Sequence, residues 1–159
     1  MTIISEFRDS WLKHRVVLER LVQETESTHV RFKPWEGAMP LGELIVHIGS
    51  SGDMFLKTLL AGVFVSPAAP PEFETMNDVR SILQSYTEQT KQDFESLQPE
   101  HLEKEIDLFG YEASGRLWLE NMRDHEIHHK GQLFVYVRMT GQENVPFFTL
   151  QPKRRQERS

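Results

Sequence analysis

Hydrophobic residues recur at spacings of three and four along four stretches of the chain, which is the period of an amphipathic α-helix. The predicted helical stretches are residues 4–26, 40–61, 76–97 and 114–140. Proline blocks a helix interior, and glycine allows backbone angles that other residues avoid. Breaks rich in these two residues lie at positions 33–40, 66–71 and 99–115. The pattern therefore predicts four long helices joined by irregular connections.

Local signals mark the ends of these helices. Pro40 suits the first turn of the second helix, where its missing N–H costs nothing. Thr75 is the expected N-cap of the third helix, with Asp78 three residues later as in a capping box. Gly141 supplies the expected C-cap residue after the last helix.

Four amphipathic helices of roughly 20 to 27 residues predict an all-α four-helix bundle. Connections of about 13 to 17 residues permit crossovers, so the order of the helices stays open. Residues 104–113 predict a small hairpin or an irregular insert before the last helix. Gly49 and Gly52 weaken the second helix by about 1 kcal/mol each, which the close approach of a neighbouring helix would offset. We assign one domain to residues 1–150 and expect residues 151–159 to form a flexible basic tail.

The composition narrows the classes of function. The chain has 159 residues and no cysteine, which excludes a catalytic thiol and every thiolate metal site. Its net charge of −6, without a dense basic face in the body of the chain, argues against nucleic-acid binding. The apolar stretches are too short to span a bilayer, and the N-terminus lacks the pattern of a signal peptide. We therefore expect a cytoplasmic protein with neither a membrane nor a nucleic acid as partner.

Histidines provide the candidate chemistry. Three of the seven histidines fall within residues 125–129. On a helix, His125 and His129 lie about 40° apart around the axis and one turn apart along it, so that both imidazoles can reach one metal ion. His47 is the best candidate for a third ligand, because an unpaired imidazole would be costly to bury in its strongly apolar stretch.

Other interpretations of these histidines stay open. A single histidine such as His47 is more often a hydrogen-bonded core residue than a ligand. The histidines of the last helix could form a solvated polar face. His128 could also replace His129, since a spacing of three residues also suits a metal site on a helix. Spacing alone does not decide between these alternatives.

Two stretches resemble signatures of the DinB/YfiT-like metalloenzymes. The first is Leu41-Gly-Glu-Leu-Ile-Val-His47, preceded by a loop that contains Pro34-Trp35 and Pro40. The second is Asp124-His125-Glu-Ile-His-His129-Lys-Gly-Gln-Leu133, followed by Tyr136, Arg138 and Gly141. The resemblance covers nearly the whole chain, from residue 1 to about residue 150. One departure is Met39-Pro40, where relatives often carry a serine or threonine cap.

The resemblance implies that a four-helix bundle holds one divalent transition metal on His47, His125 and His129. We expect zinc, with nickel, iron or manganese as alternatives, because a set poor in carboxylates disfavours magnesium and calcium. The resemblance also implies a homodimer. Some relatives are S-transferases that activate a low-molecular-weight thiol such as bacillithiol or mycothiol, and others are maleylpyruvate isomerases that use a related thiol.

We therefore expect a metal-dependent enzyme of the thiol S-transferase or hydrolase type, acting on a small molecule. The thiol would be of the bacillithiol, mycothiol or glutathione type. The alternatives are a non-catalytic, metal- or ligand-binding stress-response bundle and a purely structural or interaction bundle whose histidines hold no metal. The sequence assigns no catalytic side chain and no organic cofactor site.

Further residues are candidates for supporting the metal site. Each ligand ring needs a partner on its other nitrogen, and the candidates for this role are Glu43, Ser51, Asp124 and Gln132. Gln132 lies nearest the ligand face, seven residues after His125. The residues at helical spacings from the ligands are Trp118, Met122 and Tyr136. These three could line a pocket, although such residues more often belong to a core.

Overall fold

The computed structural model describes residues 1–154, whose regular elements are α-helices, one short 3₁₀ helix (Ser27–His29) and one small hairpin. Its α-helices are α1 (Ile3–Gln23), α2 (Leu41–Ala61), α3 (Met76–Ser96), α4 (Pro99–Glu103) and α5 (Gly115–Met139), and its antiparallel strands are β1 (Glu105–Leu108) and β2 (Tyr111–Ser114). The predicted all-α bundle with a hairpin before its last helix is confirmed. The short helix α4 was not predicted. The predicted flexible tail lies partly outside the described residues, because residues 155–159 are not among them.

Side-chain contacts fix the directions of the four long helices, which the sequence left open. Helices α1 and α3 are antiparallel, since Arg15 contacts Thr87 and Val22 contacts Arg80. Helices α2 and α5 are also antiparallel, since His47 contacts His129 and Gly52 lies beside Met122. Helices α1 and α5 are parallel, since Trp11 contacts Glu126 and Leu21 contacts Gln142, just after the end of α5. Helices α1 and α5 therefore run in one direction, and α2 and α3 run in the other. The connection over residues 62–75 returns the chain so that α2 and α3 can lie parallel. Within residues 1–154, every helix is too short or too polar to cross a membrane.

Several predicted helix ends are confirmed. The Asp78 backbone N–H donates to Thr75 Oγ1, and the Asp78 carboxylate accepts from the Thr75 N–H in return. Gly141 follows α5 with a positive φ of 93°, as a helix-terminating glycine does. The predicted close approach of a neighbouring helix is also present, since a Cβ at Gly49 would lie 2.8 Å from the Tyr86 ring of α3.

The hairpin closes one end of the bundle. Phe109 and Gly110 both have positive φ values, 58° and 85°, as a two-residue hairpin turn requires. Ile106 and Leu108 point into the core, and the indole N–H of Trp118 donates to the Ile106 carbonyl at 2.9 Å. Trp118 is thus a core residue that anchors the hairpin.

Candidate metal centre

Helices α2 and α5 bring three histidines together. His47 lies on α2, and His125 and His129 lie one turn apart on the facing side of α5. One ring nitrogen from each of the three lies within 4.8 Å of the other two. Nε2 of His47 is 3.2 Å from Nε2 of His125. All three side chains are half-buried, so they are sheltered and still reachable by a small molecule.

This spacing suits one small divalent ion. Two imidazole nitrogens that bind zinc tetrahedrally at about 2.0–2.1 Å are about 3.3 Å apart, close to the separation between His47 and His125. His128 is exposed on α5 and does not belong to the converging group, although its ring contacts that of His129. In the described part of the chain, the group that could hold a metal therefore includes His129 and not His128.

Burial keeps the imidazoles of His47 and His125 in the form that binds metals. The pKa of His125 is lowered to about 4, first by burial and then by the charges of His129, His47 and His128. The pKa of His47 is lowered by burial and by His129. Neutral imidazole is the ligand form, because a protonated ring nitrogen has no lone pair to donate. His47 and His125 therefore favour the neutral form at neutral pH.

Gln132 contacts His129 from the next turn of α5. Its Oε1 lies 2.9 Å from Nδ1 of His129. A ring N–H at Nδ1 that donates to this oxygen fixes the orientation of the ring and leaves Nε2 free to bind a metal. This contact agrees with the proximity that the sequence indicated for Gln132.

The other three candidates for this supporting role lie elsewhere. Glu43 approaches Arg31, with 3.9 Å between oxygen and nitrogen, and Asp124 pairs with Arg123 at 3.3 Å. Among residues 1–154, no hydrogen bond joins Ser51 to any of the three rings. These positions lie near the histidines in sequence, but none of the three side chains is hydrogen-bonded to His47, His125 or His129 in the described part of the chain.

A cavity of about 590 Å³ opens beside His47. We call it the first cavity; helix α2 contributes Glu43, Val46, His47 and Ser50 to its wall, and the connection between α2 and α3 contributes Pro70 to Glu74. Arg31 holds this connection in place, since its guanidinium lies 5.0 Å from the centre of the Phe73 ring and donates to the Phe73 carbonyl.

Two of the three residues at helical spacings from the histidines are core residues, as the sequence analysis expects more often at such positions. Met122 is buried, and its methyl group would lie 3.5 Å from a Cβ at Gly52. Tyr136 is buried with its ring edge-on to Phe32. Neither side chain lines the first cavity.

A buried ion pair beside the histidines could not be read from the sequence pattern alone. Glu126 follows His125 directly, but its carboxylate points toward α1 and accepts from both Arg15 and the indole N–H of Trp11. Arg15 also donates to Thr87 on α3. One sequence signal did point to a buried carboxylate. Glu126 lies four residues after Met122 and therefore on the face of α5 that packs into the core.

Lys130, one turn after Glu126 on α5, is a second charged residue that points toward α1. It is buried, and its Nζ donates to Nδ1 of His14 at 2.8 Å and to the backbone carbonyl of Phe148. Burial, followed by the charge of Lys130, lowers the pKa of His14 to about 4. Thus α5 directs His125 and His129 toward α2, and it directs Glu126 and Lys130 toward α1.

Comparison with known proteins connects this arrangement to a family. The sequence profile of the DinB family matches residues 2–158. The uncharacterized protein YjoA of Bacillus subtilis strain 168 is 39% identical over 149 residues, which cover 92% of this chain and 94% of YjoA.

Solved structures show the same fold. The crystal structure of the DinB-like protein YjoA from Bacillus subtilis has a TM-score of 0.82 at 35% identity, over 92% of this chain and 99% of that one. A DinB-like protein from Bacillus cereus gives 0.76 at 18% identity, over 90% and 95% of the two chains. A conserved protein from Enterococcus faecalis gives 0.67 at 13% identity, over 89% and 99%. The last two similarities concern the fold alone.

Proposed function

Because this chain belongs to the DinB family, as its motifs predicted, we propose that His47, His125 and His129 bind one divalent transition metal that activates a small nucleophile. The observation that carries the proposal is the convergence of three ring nitrogens within 4.8 Å, beside a cavity. Neutral imidazoles suit zinc first, with nickel, iron and manganese as alternatives.

Three protein ligands leave a coordination position for a reactant, which is typical of catalytic rather than structural zinc sites. When bound, such an ion lowers the pKa of a coordinated water or thiol and so supplies hydroxide or thiolate at neutral pH. The protein contributes the orientation of the ligands, through Gln132, and a cavity of a size that suits a small molecule.

The neighbouring charged residues favour a thiol as the nucleophile. Glu126 is held by Arg15 and Trp11, and Lys130 is held by His14, so neither faces the ligand rings. Glu43 lines the first cavity but faces Arg31, with 3.9 Å between oxygen and nitrogen, and no carboxylate among residues 1–154 is hydrogen-bonded to one of the three histidine rings. The nucleophile would therefore lose its proton mainly through the ion. A thiol, with an ordinary pKa of about 8.5, needs a much smaller shift than water does. We therefore place an S-transferase using a low-molecular-weight thiol ahead of a hydrolase.

Cobalt substitution tests this function directly. Cobalt(II)-loaded protein titrated with bacillithiol, mycothiol or glutathione is expected to develop a near-ultraviolet thiolate-to-cobalt band with the thiol that it uses. The zinc-loaded protein is expected to conjugate the same thiol to an electrophile such as 1-chloro-2,4-dinitrobenzene. The single substitutions His47→Ala, His125→Ala and His129→Ala should abolish both signals, whereas His128→Ala, the matched control, should keep them. A metal-loaded protein that gives neither signal would instead be a non-catalytic metal-binding bundle.

A further inference from the structure

A second cavity, of about 410 Å³, lies between α2, α3 and the connection that joins them. Its wall includes Ser50, Asp53 and Lys57 of α2 and Tyr86 of α3. Ser50 and Pro71 line both this cavity and the first one, so the two cavities are neighbours. The second cavity contains none of the three histidines.

Asp53 is the unusual residue of the second cavity. Its side chain is only 10% exposed, and its Oδ2 accepts a hydrogen bond from Lys57 Nζ at 2.6 Å. No protein group among residues 1–154 donates to its other oxygen, Oδ1. A buried carboxylate oxygen without a donor is costly for the fold. Such local conflicts are expected where a ligand supplies the missing contact.

The present partner of Asp53 can be displaced. Lys57 lies one turn further along α2, and 45% of its side chain is exposed, so its ammonium group can move into solvent. The rest of the wall is uncharged, with hydroxyl groups from Ser50, Ser85 and Tyr86 and apolar surface from the prolines and alanines of the connection. One carboxylate among neutral hydroxyl groups favours a compact cation that carries several N–H donors.

We propose that the second cavity binds the primary ammonium group of the small-molecule substrate, with Asp53 as its partner. The site for the amine stands on Asp53 and its cavity alone, whereas its connection to the reaction rests on the proposed function of the histidines. His47, Ser50 and Asp53 follow one another at three-residue steps along α2. Six residues of helix rise about 9 Å along the axis and place His47 and Asp53 about 120° apart around it, so the ammonium group and the reacting end of the substrate lie at least about 9 Å apart.

Three small molecules test the ammonium end and the thiol end of such a substrate separately. Hexylamine carries only the ammonium group, 6-hydroxyhexane-1-thiol carries only the thiol, and 6-aminohexane-1-thiol carries both. Their dissociation constants are measured by calorimetry on the zinc-loaded full chain, with thiol binding also followed on the cobalt-loaded protein. The variants are Asp53→Asn, which keeps the shape but removes the charge, and Lys57→Met, which removes the internal competitor. Glu88→Gln, which removes an exposed carboxylate of α3, is the control.

Hexylamine is expected to bind the wild type and to bind Asp53→Asn roughly ten- to a hundredfold more weakly, the range for losing a hydrogen bond to a charged group. Lys57→Met should bind it more tightly, and Glu88→Gln should match the wild type. Equal affinity for hexylamine in wild type and folded Asp53→Asn would overturn the proposal, as would the absence of binding to the wild type.

The thiols distinguish a failure of this site from a failure of the proposed function. If both thiols perturb cobalt equally and Asp53→Asn changes neither, the ammonium site is wrong and the metal chemistry stands. If hexylamine binding depends on Asp53 but neither thiol perturbs cobalt, the ammonium site stands and the thiol reaction is wrong.

Discussion

Arg15 and Glu126 form a bidentate ion pair inside the bundle, with nitrogen–oxygen distances of 2.5 and 2.8 Å. Neither side chain is more than 2% exposed. Glu126 lies on α5 between the two proposed ligands His125 and His129. The pair therefore fixes the rotation of α5 about its axis, and with it the direction in which both imidazoles point.

Glu126→Gln is expected to lower the free energy of unfolding by about 3–5 kcal/mol, because it leaves the Arg15 charge buried without a counter-charge. Urea denaturation followed by tryptophan fluorescence measures the loss. The control is Glu88→Gln, which breaks an exposed pair with Lys91 and should cost at most about 1 kcal/mol. Similar small losses in both variants would show that the buried pair is not structurally important.

Gln132→Ala is expected to weaken metal binding by about ten- to a hundredfold, because His129 loses the partner that orients its ring. Gln132→Glu keeps an acceptor at the same place and should retain tight binding. Competition with a chromophoric chelator measures both affinities. Gln84→Ala, on the exposed side of α3, is the control for the loss of a glutamine. An unchanged affinity in Gln132→Ala would mean that the ring needs no such support.

The lowered pKa of His14 predicts that the metal-free protein loses part of its free energy of unfolding in acid. Its pKa in the folded state is about 4 because of burial and the charge of Lys130, whereas an unfolded chain has the ordinary value of 6.5. Between these pH values the unfolded state binds more protons, so the free energy of unfolding falls as the pH is lowered from 6.5 to 4. His125 contributes in the same direction, since its pKa is also about 4.

His14→Gln keeps an acceptor for Lys130 and removes this titration. The variant should therefore lose less stability than the wild type between pH 7 and pH 4.5, by roughly 1 kcal/mol given partial solvent contact of the ring. Urea denaturation of the metal-free proteins at the two pH values provides the comparison. Identical losses in both proteins would contradict a depressed pKa at His14.

Alanine substitutions at two glycines are expected to change the stability of the fold in opposite directions. At Gly49 a Cβ would lie 2.8 Å from the Tyr86 ring, so Gly49→Ala is expected to destabilise the fold by about 1–3 kcal/mol despite its better helix propensity. At Gly131 no group of the described residues, apart from the helix's own neighbouring backbone, lies within 4 Å of the added Cβ, so Gly131→Ala should stabilise the fold by about 0.5–1 kcal/mol. Thermal unfolding of the two metal-free variants measures both effects. Stabilisation by Gly49→Ala would show that α2 and α3 pack less closely than described.

The sequence predicted those features that depend on local pattern. Hydrophobic spacing located the four long helices, and the Thr75 capping box and Gly141 gave their ends. The spacing of His125 and His129 predicted that both face one point. In each case the residues that carry the signal are neighbours in one helix, so the pattern contains the geometry.

Features that depend on contacts between distant segments were not predictable in this way. The pairing of Arg15 with Glu126 needs the parallel arrangement of α1 and α5, which no local pattern specifies. The same holds for Lys130, whose partners His14 and Phe148 come from α1 and from the segment after α5. Trp118, at a helical spacing from the ligands, turned out to anchor the hairpin, because spacing fixes a face of the helix but not what packs against it.

The most direct test of the metal site is elemental analysis of the purified wild type beside His47→Ala, His125→Ala and His129→Ala, with folding checked by circular dichroism. His128→Ala is the matched control, because its ring is exposed on the same turn of α5. We expect about one divalent ion per chain in the wild type and the control, and none in the three folded ligand variants. A wild type that stays metal-free after incubation with zinc, nickel, iron and manganese, or ligand variants that retain the ion, would contradict the site.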